Sequence, residues 1–207
     1  YKKATKAGIK PIIGMEAYIV ADGSRKDRGK TEGNGIGRKK KKYNHLILLA
    51  KNKEGFKNLS KLSTLGHTEG FYYKPRIDLE LLKQYSAGLV CTSACASGVV
   101  SAHLVEGNYD KAKQVAKVYK EIFEDDFYLE IQDHGMPIDK PILEMMPKIS
   151  KELEIKLVAT NDCHYIEKDH SIAHNILLLL GDKNGADYRS LRYGTDQVYF
   201  KSAKEMI

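Results

Sequence analysis

Leu157-Val158-Ala159-Thr160-Asn161-Asp162-Cys163-His164 is a short apolar run that ends in side chains able to hold a metal ion. Core strands bury apolar side chains and shed polar ones at their ends. Asp162 and His164 stand two apart, so on an extended chain both point the same way and can reach one site. The pattern recurs along the chain. Ile12-Ile13 leads to Glu16, and His45 opens Leu46-Ile47-Leu48-Leu49. Gly88-Leu89-Val90 leads to Cys91 and Cys95, and Phe127-Tyr128-Leu129-Glu130-Ile131 leads to Asp133 and His134. In α/β barrels chemistry is built at strand ends. These coincidences, met in order along one chain, predict a converging pocket.

The segments between the runs carry helical signals. Leu59, Leu62 and Leu65 share one face of a helix predicted from Phe56. Asp78 can cap a short helix over Leu79–Gln84. Tyr109, Ala112, Val115, Ala116, Tyr119, Ile122 and Phe123 follow helical spacing behind Asn108 or Asp110. A further helix is predicted from Lys140 to Leu153, broken or tightened near Pro147. Another, capped by Asp169, reaches Leu180. Gly70–Arg76 and Val198–Phe200 read as extended. Alternating strands and helices predict an α/β fold with a parallel sheet. Five strands without an opening strand suit an incomplete barrel.

The chain has 207 residues and 42% apolar content, enough for a buried core. No apolar stretch nears the roughly 20 residues that span a bilayer. The longest, Ile176–Leu180, reads as a buried helix face. Tyr1–Ala7 is polar and reads as the end of a helix, with no signal peptide and no initiator Met, so the chain reads as a segment of something longer. Three cysteines make no disulfide framework and suit a reducing cytosol. Cys91 and Cys163 read as small buried hydrophobes, whereas Cys95 is equally a ligand or a core residue. Nine basic residues against two acidic ones between Ser24 and Lys42 account for the net charge of +7; the remainder is balanced, 25 of each sign. That stretch, 24–42, is Gly-rich without apolar periodicity and reads as a flexible basic loop. A generally basic, nucleic-acid-type surface is not indicated.

Carboxylate, imidazole and thiolate together suit zinc, and carboxylate with imidazole also suits manganese or iron. Clustered ions activate water and hold the oxygens of a phosphodiester. No Ser–His–Asp order, P-loop or dinucleotide fingerprint competes. The residue chemistry therefore points to metal-assisted phosphoester hydrolysis, with Glu16, His45, Asp162 and His164 as ligands and His134 either a ligand or merely seated in a turn. His170 and His174 have the i, i+4 spacing of a zinc pair but no intervening Glu, and read as structural or surface residues. His67 and His103 have no evident partners. Tyr72, Tyr73, Lys74 and Arg76 form an aromatic–basic cluster that either stacks bases and clamps phosphate or covers the core.

Four phrases are specific beyond their chemistry: Ala7-Gly8-Ile9-Lys10-Pro11-Ile12-Ile13-Gly14-Met15-Glu16, Leu48-Leu49-Ala50-Lys51-Asn52, Glu69-Gly70-Phe71-Tyr72-Tyr73-Lys74-Pro75-Arg76-Ile77-Asp78, and Val158-Ala159-Thr160-Asn161-Asp162-Cys163-His164-Tyr165. They resemble the polymerase-and-histidinol-phosphatase (PHP) domain at the start of bacterial replicative DNA polymerase III alpha subunits. The resemblance runs from Tyr1 to Ile207, through Gly194–Ser202. It implies a distorted (β/α)7, TIM-like barrel of the PHP type, here incomplete because the first strands and their His-x-His ligands lie upstream of Tyr1. It implies one PHP domain over 1–207, with 182–207 as an exit segment toward the polymerase core.

The resemblance maps Glu16, His45, Cys95, Asp162 and His164 onto ligand positions of a multinuclear zinc or manganese cluster. His134 lies in a recurrent Gln-Asp-His-Gly phrase nearby. Glu16, Asp162 and His164 would position the ions, while His45 and Cys95 complete the cage. Tyr73, Lys74 and Arg76 are candidate nucleic-acid contacts. In some members the cluster supports 3′–5′ exonuclease proofreading; in others ligands are lost and the domain is a scaffold. The implied partners are DNA, the polymerase core of the same parent chain, the sliding clamp, the clamp loader and a proofreading subunit, in the cytoplasm. A free-standing phosphatase on a small phosphoester such as histidinol phosphate is a more distant reading, disfavoured by the Phe71–Arg76 phrase.

Overall fold

A computed structural model describes residues 1–28, 43–180 and 194–206. After a short helix α1 (Lys2–Lys6), strand β1 (Gly14–Val20) and strand β2 (Asn44–Ala50) form the first hairpin-like pair. Helix α2 (Lys53–Thr68), strand β3 (Arg76–Asp78), helix α3 (Leu79–Tyr85) and strand β4 (Leu89–Thr92) follow. A short α4 (Ser101–Val105) and the long α5 (Tyr109–Phe123) lead to β5 (Phe127–Ile131). Then come α6 (Asp139–Leu153), β6 (Lys156–Ala159) and α7 (Ser171–Leu179).

Among the described residues the strands form one open six-stranded sheet in the order β3-β1-β2-β4-β5-β6. It is mixed, which corrects the expectation of a parallel sheet. β3 and β1 are parallel, and so are β4, β5 and β6, but β2 is antiparallel to both β1 and β4. Five strands point one way and β2 alone points the other. A parallel neighbour needs a crossover, usually helical, and the stretch between β1 and β2 carries no helical periodicity.

Strand alternation sets the two faces. Ala17, Ile19, Leu46, Leu48, Leu89, Cys91, Phe127 and Leu129 are buried and pack with Leu62 of α2, Ala112, Ala116 and Tyr119 of α5, and Ile142, Met146 and Ile149 of α6 in one hydrophobic cluster. Each fully buried Leu contributes roughly 1.5–3 kcal/mol. Glu16, Tyr18, His45 and Ile47 alternate onto the opposite, half-open face. The helix starts obey their caps: Asn52, Asp78 and Asn108 accept from the amides of Gly55, Leu81 and Lys111. A Cβ on Gly55 would meet the Gly88 carbonyl oxygen at 1.8 Å, so α2 lies directly on the turn into β4.

Other expectations need amendment. Pro147 does not break α6, because it lies on the exposed side, where water can bond the carbonyl it leaves. Of the extended segment 70–76, only Arg76 joins a strand. Asp169 is not a cap; a 3-10 turn over Lys168–His170 precedes α7. Ile176, Leu177 and Leu180 are 50%, 66% and 80% exposed rather than buried, because no other described element covers that side of α7. Cys163 is exposed, unlike Cys91. Of the basic loop 24–42, residues 29–42 lie outside the described residues, as do 182–193 of the exit segment.

The first turn of that loop is anchored, not solvated. Arg25 is 6% exposed. Its Nη1 lies 3.0 Å from Asp78 Oδ2 and its Nη2 2.7 Å from Glu69 Oε2. The Arg25 amide also donates to Asp78 at 2.9 Å. Asp78→Ala takes the buried carboxylate from the guanidinium, leaving Glu69 and Glu80 as its partners, and uncaps α3; it is expected to cost about 2–4 kcal/mol in urea unfolding, the sum of a charge-assisted bond and a helix cap. A loss below about 1 kcal/mol, the scale of an exposed pair, would contradict this placement.

Candidate metal centre

The reversed direction of β2 decides where its first residues lie. His45 is paired with Tyr18 near the end of β1, and its amide donates to the Ser97 carbonyl in the loop after β4 at 3.0 Å. The beginning of β2 and the ends of β1 and β4 therefore share one rim. Glu16 lies opposite Ile47, two residues from His45, so Glu16 and His45 form a diagonal pair on the half-open face. Glu16 Oε1 is 3.0 Å from His45 Nδ1. Cys95 Sγ is 3.6 Å from the same nitrogen. The loop that carries Cys95 is tight: Ala94 has φ +62°, and a Cβ on Gly98 would meet the Ser93 carbonyl oxygen at 1.9 Å.

Asp162 and His164 follow β6, with His164 Nε2 3.5 Å from Asp162 Oδ2. His134, after β5, is 4% exposed. Its Nε2 accepts the Asp162 amide at 3.3 Å, its own amide donates to Asp139 at 2.9 Å, and its carbonyl accepts from Thr195 at 2.7 Å. His134 thus holds the Asp162 turn in place. Cys95, His134, Asp162 and His164 line one cleft of about 270 Å³. Through His45 and Cys95, Glu16 joins the same rim.

The donors bond to one another. Among the described residues no three of them already aim at one point as a ready cage. Their chemistry nonetheless fits a divalent ion: carboxylate oxygen, imidazole nitrogen and cysteine sulfur meet around His45 Nδ1, the donor types that zinc takes. PHP domains in general bind metal ions.

Three residues that the pattern of run ends missed belong to this region. Glu130 is 5% exposed inside the apolar run of β5. Thr92 and Thr160 hydroxyls donate to its two oxygens, and Gln132 Nε2 donates at 3.0 Å, so Glu130 ties together the ends of β4, β5 and β6. A carboxylate within an apolar run was the available signal. His174 of α7 packs on His164 with ring centroids 5.5 Å apart. Ser101 of α4 lines the cleft; its hydroxyl carries no motif.

The aromatic–basic cluster divides. Tyr73 is 81% exposed and has φ +61°, a strained conformation for a tyrosine. Lys74 Nζ lies 5.3 Å over the Tyr18 ring, and Tyr18 packs edge-on to His45 at 5.5 Å. Arg76 is 1% exposed; its Nη2 donates to the Arg25 and Asp27 carbonyls at 2.6 and 2.9 Å and its Nε to that of Gly70 at 3.0 Å. Lys74 lies beside Tyr18 near the rim and Tyr73 is exposed, whereas Arg76 fastens the turn at 25–27.

The bonds to Cys95 and Glu16 push the His45 imidazole up to about 9 against the cost of burial. The His45 bond holds the Glu16 carboxyl below its ordinary range, opposed by burial and helped by the charges of His45 and His164. A histidine raised above its unfolded value of about 6.5 stabilises fully below that pH and loses the contribution as pH rises through about 9. A metal takes neutral imidazole, so its binding strengthens as pH rises. In the metal-free chain, NMR titration is expected to place His45 near 9, and lower in Glu16→Gln. A native His45 titrating near the ordinary value of about 6.5 contradicts the contact.

Among the described residues no helix is long and apolar enough to cross a membrane. Across its full length the chain is 42% identical to the DNA polymerase III subunit alpha of Borreliella burgdorferi, of which it spans 17%. It is 42% identical over 99% of its length to that of Treponema pallidum, again 17% of the relative. It is 47% identical over 87% of its length to that of Aquifex aeolicus, covering 15% of it. The chain thus spans less than a fifth of the length of these curated relatives. The PHP domain family model matches residues 1–134, where Glu16, His45, Cys95 and His134 all lie, and the chain belongs to the PHP domain family.

Proposed function

We propose that the chain is the PHP domain of a bacterial replicative DNA-directed DNA polymerase, and that this domain is a divalent-metal-dependent phosphoesterase acting on DNA 3′ ends. The observation that carries the reading is that the Glu16–His45–Cys95 contacts and the Asp162–His164 pair lie along one cleft, which Cys95, Asp162 and His164 line. The relatives' printed name, DNA polymerase III subunit alpha, supports the polymerase parentage. On this reading the mixed sheet is part of a distorted seven-stranded barrel, residues 1–207 make one domain, and 182–207 lead toward the polymerase core. The partners are DNA, that core, the sliding clamp, the clamp loader and a proofreading subunit, in the cytoplasm.

Glu16, Asp162 and His164 would hold zinc or manganese, with His45 and Cys95 completing the shell. The bound ions would supply Lewis acidity at the scissile phosphodiester. Glu130 and His134 keep the ligand-bearing strand ends in register through the bonds described above. Lys74 beside Tyr18 gives an incoming strand a positive charge next to the site, and exposed Tyr73 offers a base-stacking surface worth roughly 1–3 kcal/mol. A second reading, a scaffold without turnover, is favoured by the donors' bonding to one another.

In the full-length protein, Asp162→Asn is expected to lower metal-dependent removal of 3′ nucleotides by roughly a hundredfold or more, the scale of losing one preorganised charge contact, with polymerisation intact. Undiminished trimming, or an intact native protein without bound divalent metal, supports the scaffold instead.

A further inference from the structure

Residues 195–200 are tied, almost residue by residue, to the turn that carries Asp162 and His164. The Thr195 hydroxyl donates to the His134 carbonyl at 2.7 Å and accepts the Gln197 amide at 3.1 Å. Asn161, the residue before Asp162, donates through Nδ2 to the carbonyls of Gln197 at 3.2 Å and Tyr199 at 2.6 Å. The His164 amide donates to the Val198 carbonyl at 2.8 Å. The Phe200 amide donates to the carbonyls of Tyr165 and Ile166 at 3.0 and 3.1 Å. The amides of Asp162 and His164 are therefore both taken, one by His134 Nε2 and one by Val198. Thr195 joins those two partners. Packing holds the segment mainly at Val198, which is 2% exposed and lines the cleft, whereas Phe200 is 72% exposed. Its pairing with the turn is an isolated bridge between Tyr165 and Tyr199 rather than a strand of the sheet. The seat of the segment thus depends more on these polar bonds than on burial, and loss of one hydroxyl or amide loosens it.

We propose that residues 195–200 are a clamp on the metal-bearing turn, with Thr195 and Asn161 as its positioning residues, and that the grip of Asp162 and His164 on a divalent ion depends on the clamp being seated. The dependence rests on the metal-centre reading; the clamp itself does not. Ligands held in place before an ion arrives lose little freedom when it binds. A turn released from the clamp must be ordered by the ion itself, which weakens binding. The coupling is reciprocal, so a bound ion in turn holds the clamp down. Control of the site is thereby placed in chain that lies beyond its last ligand.

The test is a Mn²⁺ titration of the metal-free full-length protein, with the free ion read by EPR and the sites in question defined as those lost in Asp162→Asn. Thr195→Val and Asn161→Ala are each expected to weaken these sites roughly 10–100-fold, the usual effect of removing a partner that orients a ligand. Thr195→Ser, which keeps the hydroxyl, should bind as the native protein does. Native affinity in Thr195→Val or in Asn161→Ala, or an equal loss in Thr195→Ser, overturns the proposal. Hydrogen exchange resolved to single amides gives a second readout that needs no metal. In the metal-free protein Thr195→Val should speed exchange at His164 and Phe200 along with Gln197, and Mn²⁺ should slow it at all three in the native chain. Acceleration confined to Gln197 means that the segment does not move as one body, and overturns the clamp. A native protein without Mn²⁺ sites sensitive to Asp162→Asn removes the metal-centre reading instead, and the metal-free exchange then decides the clamp alone.

Discussion

The antiparallel pairing of β2 with both of its neighbours is the constraint on which the rim depends. With five strands pointing one way, a residue that opens a sixth, reversed strand arrives where the others end. His45 reaches Glu16 and Cys95 only because of that reversal. The register is held by burial. Leu46 and Leu48, both 0% exposed, face the helices, and a one-residue slip would carry them to the half-open face and turn His45 into the core. Losing two fully buried leucines costs several kcal/mol by area, well beyond what the exposed part of the Glu16–His45 contact returns. Apolar packing therefore places the polar site, and the site's own bonds refine it.

A second layer of polar side chains holds the loops between strands and site. Glu130 joins three strand ends through two threonines and a glutamine. Asp139 gathers the amides of His134 and Met136 at the start of α6, and His134 in turn takes the Asp162 amide. On the far edge, Arg25, Asp78 and Arg76 fasten the first turn of the basic stretch. Buried polar groups are costly unless bonded, and each of these is bonded several times. The result is a rim whose loops are fixed by side chains before any ligand arrives, which suits a site that must hold charge at set positions.

Much of this was legible in the chain. Glu16 reaches His45, and Asp162 reaches His164, because strand periodicity is a local property, but Glu16 lies within β1 rather than at the end of a buried run, and Ile12 is exposed outside the strand. The caps at Asp78 and Asn108 were legible for the same reason, whereas α2 begins at Lys53 behind Asn52, three residues before its expected start at Phe56. Strand direction was not: alternation of elements is silent about whether two neighbours are joined by a crossover or a hairpin, and β2 exposed that gap. Helix α4, five residues long, carries too little periodicity to register. Arg76 and Glu130 illustrate a further limit. A charged residue beside aromatic or apolar neighbours reads as surface chemistry or as an oddity, and only tertiary contacts reveal whether it is buried among carbonyls or hydroxyls.

The central claim is that donors from β1, β2, the loop after β4 and the turn after β6 grip common ions. Anomalous diffraction from crystals of the full-length protein soaked in Mn²⁺ tests it most directly. The account predicts anomalous peaks between Glu16, His45 and Cys95 on one side and Asp162 and His164 on the other, within coordination distance of both. Peaks bound by only one of the two groups, or none at this rim, would contradict it.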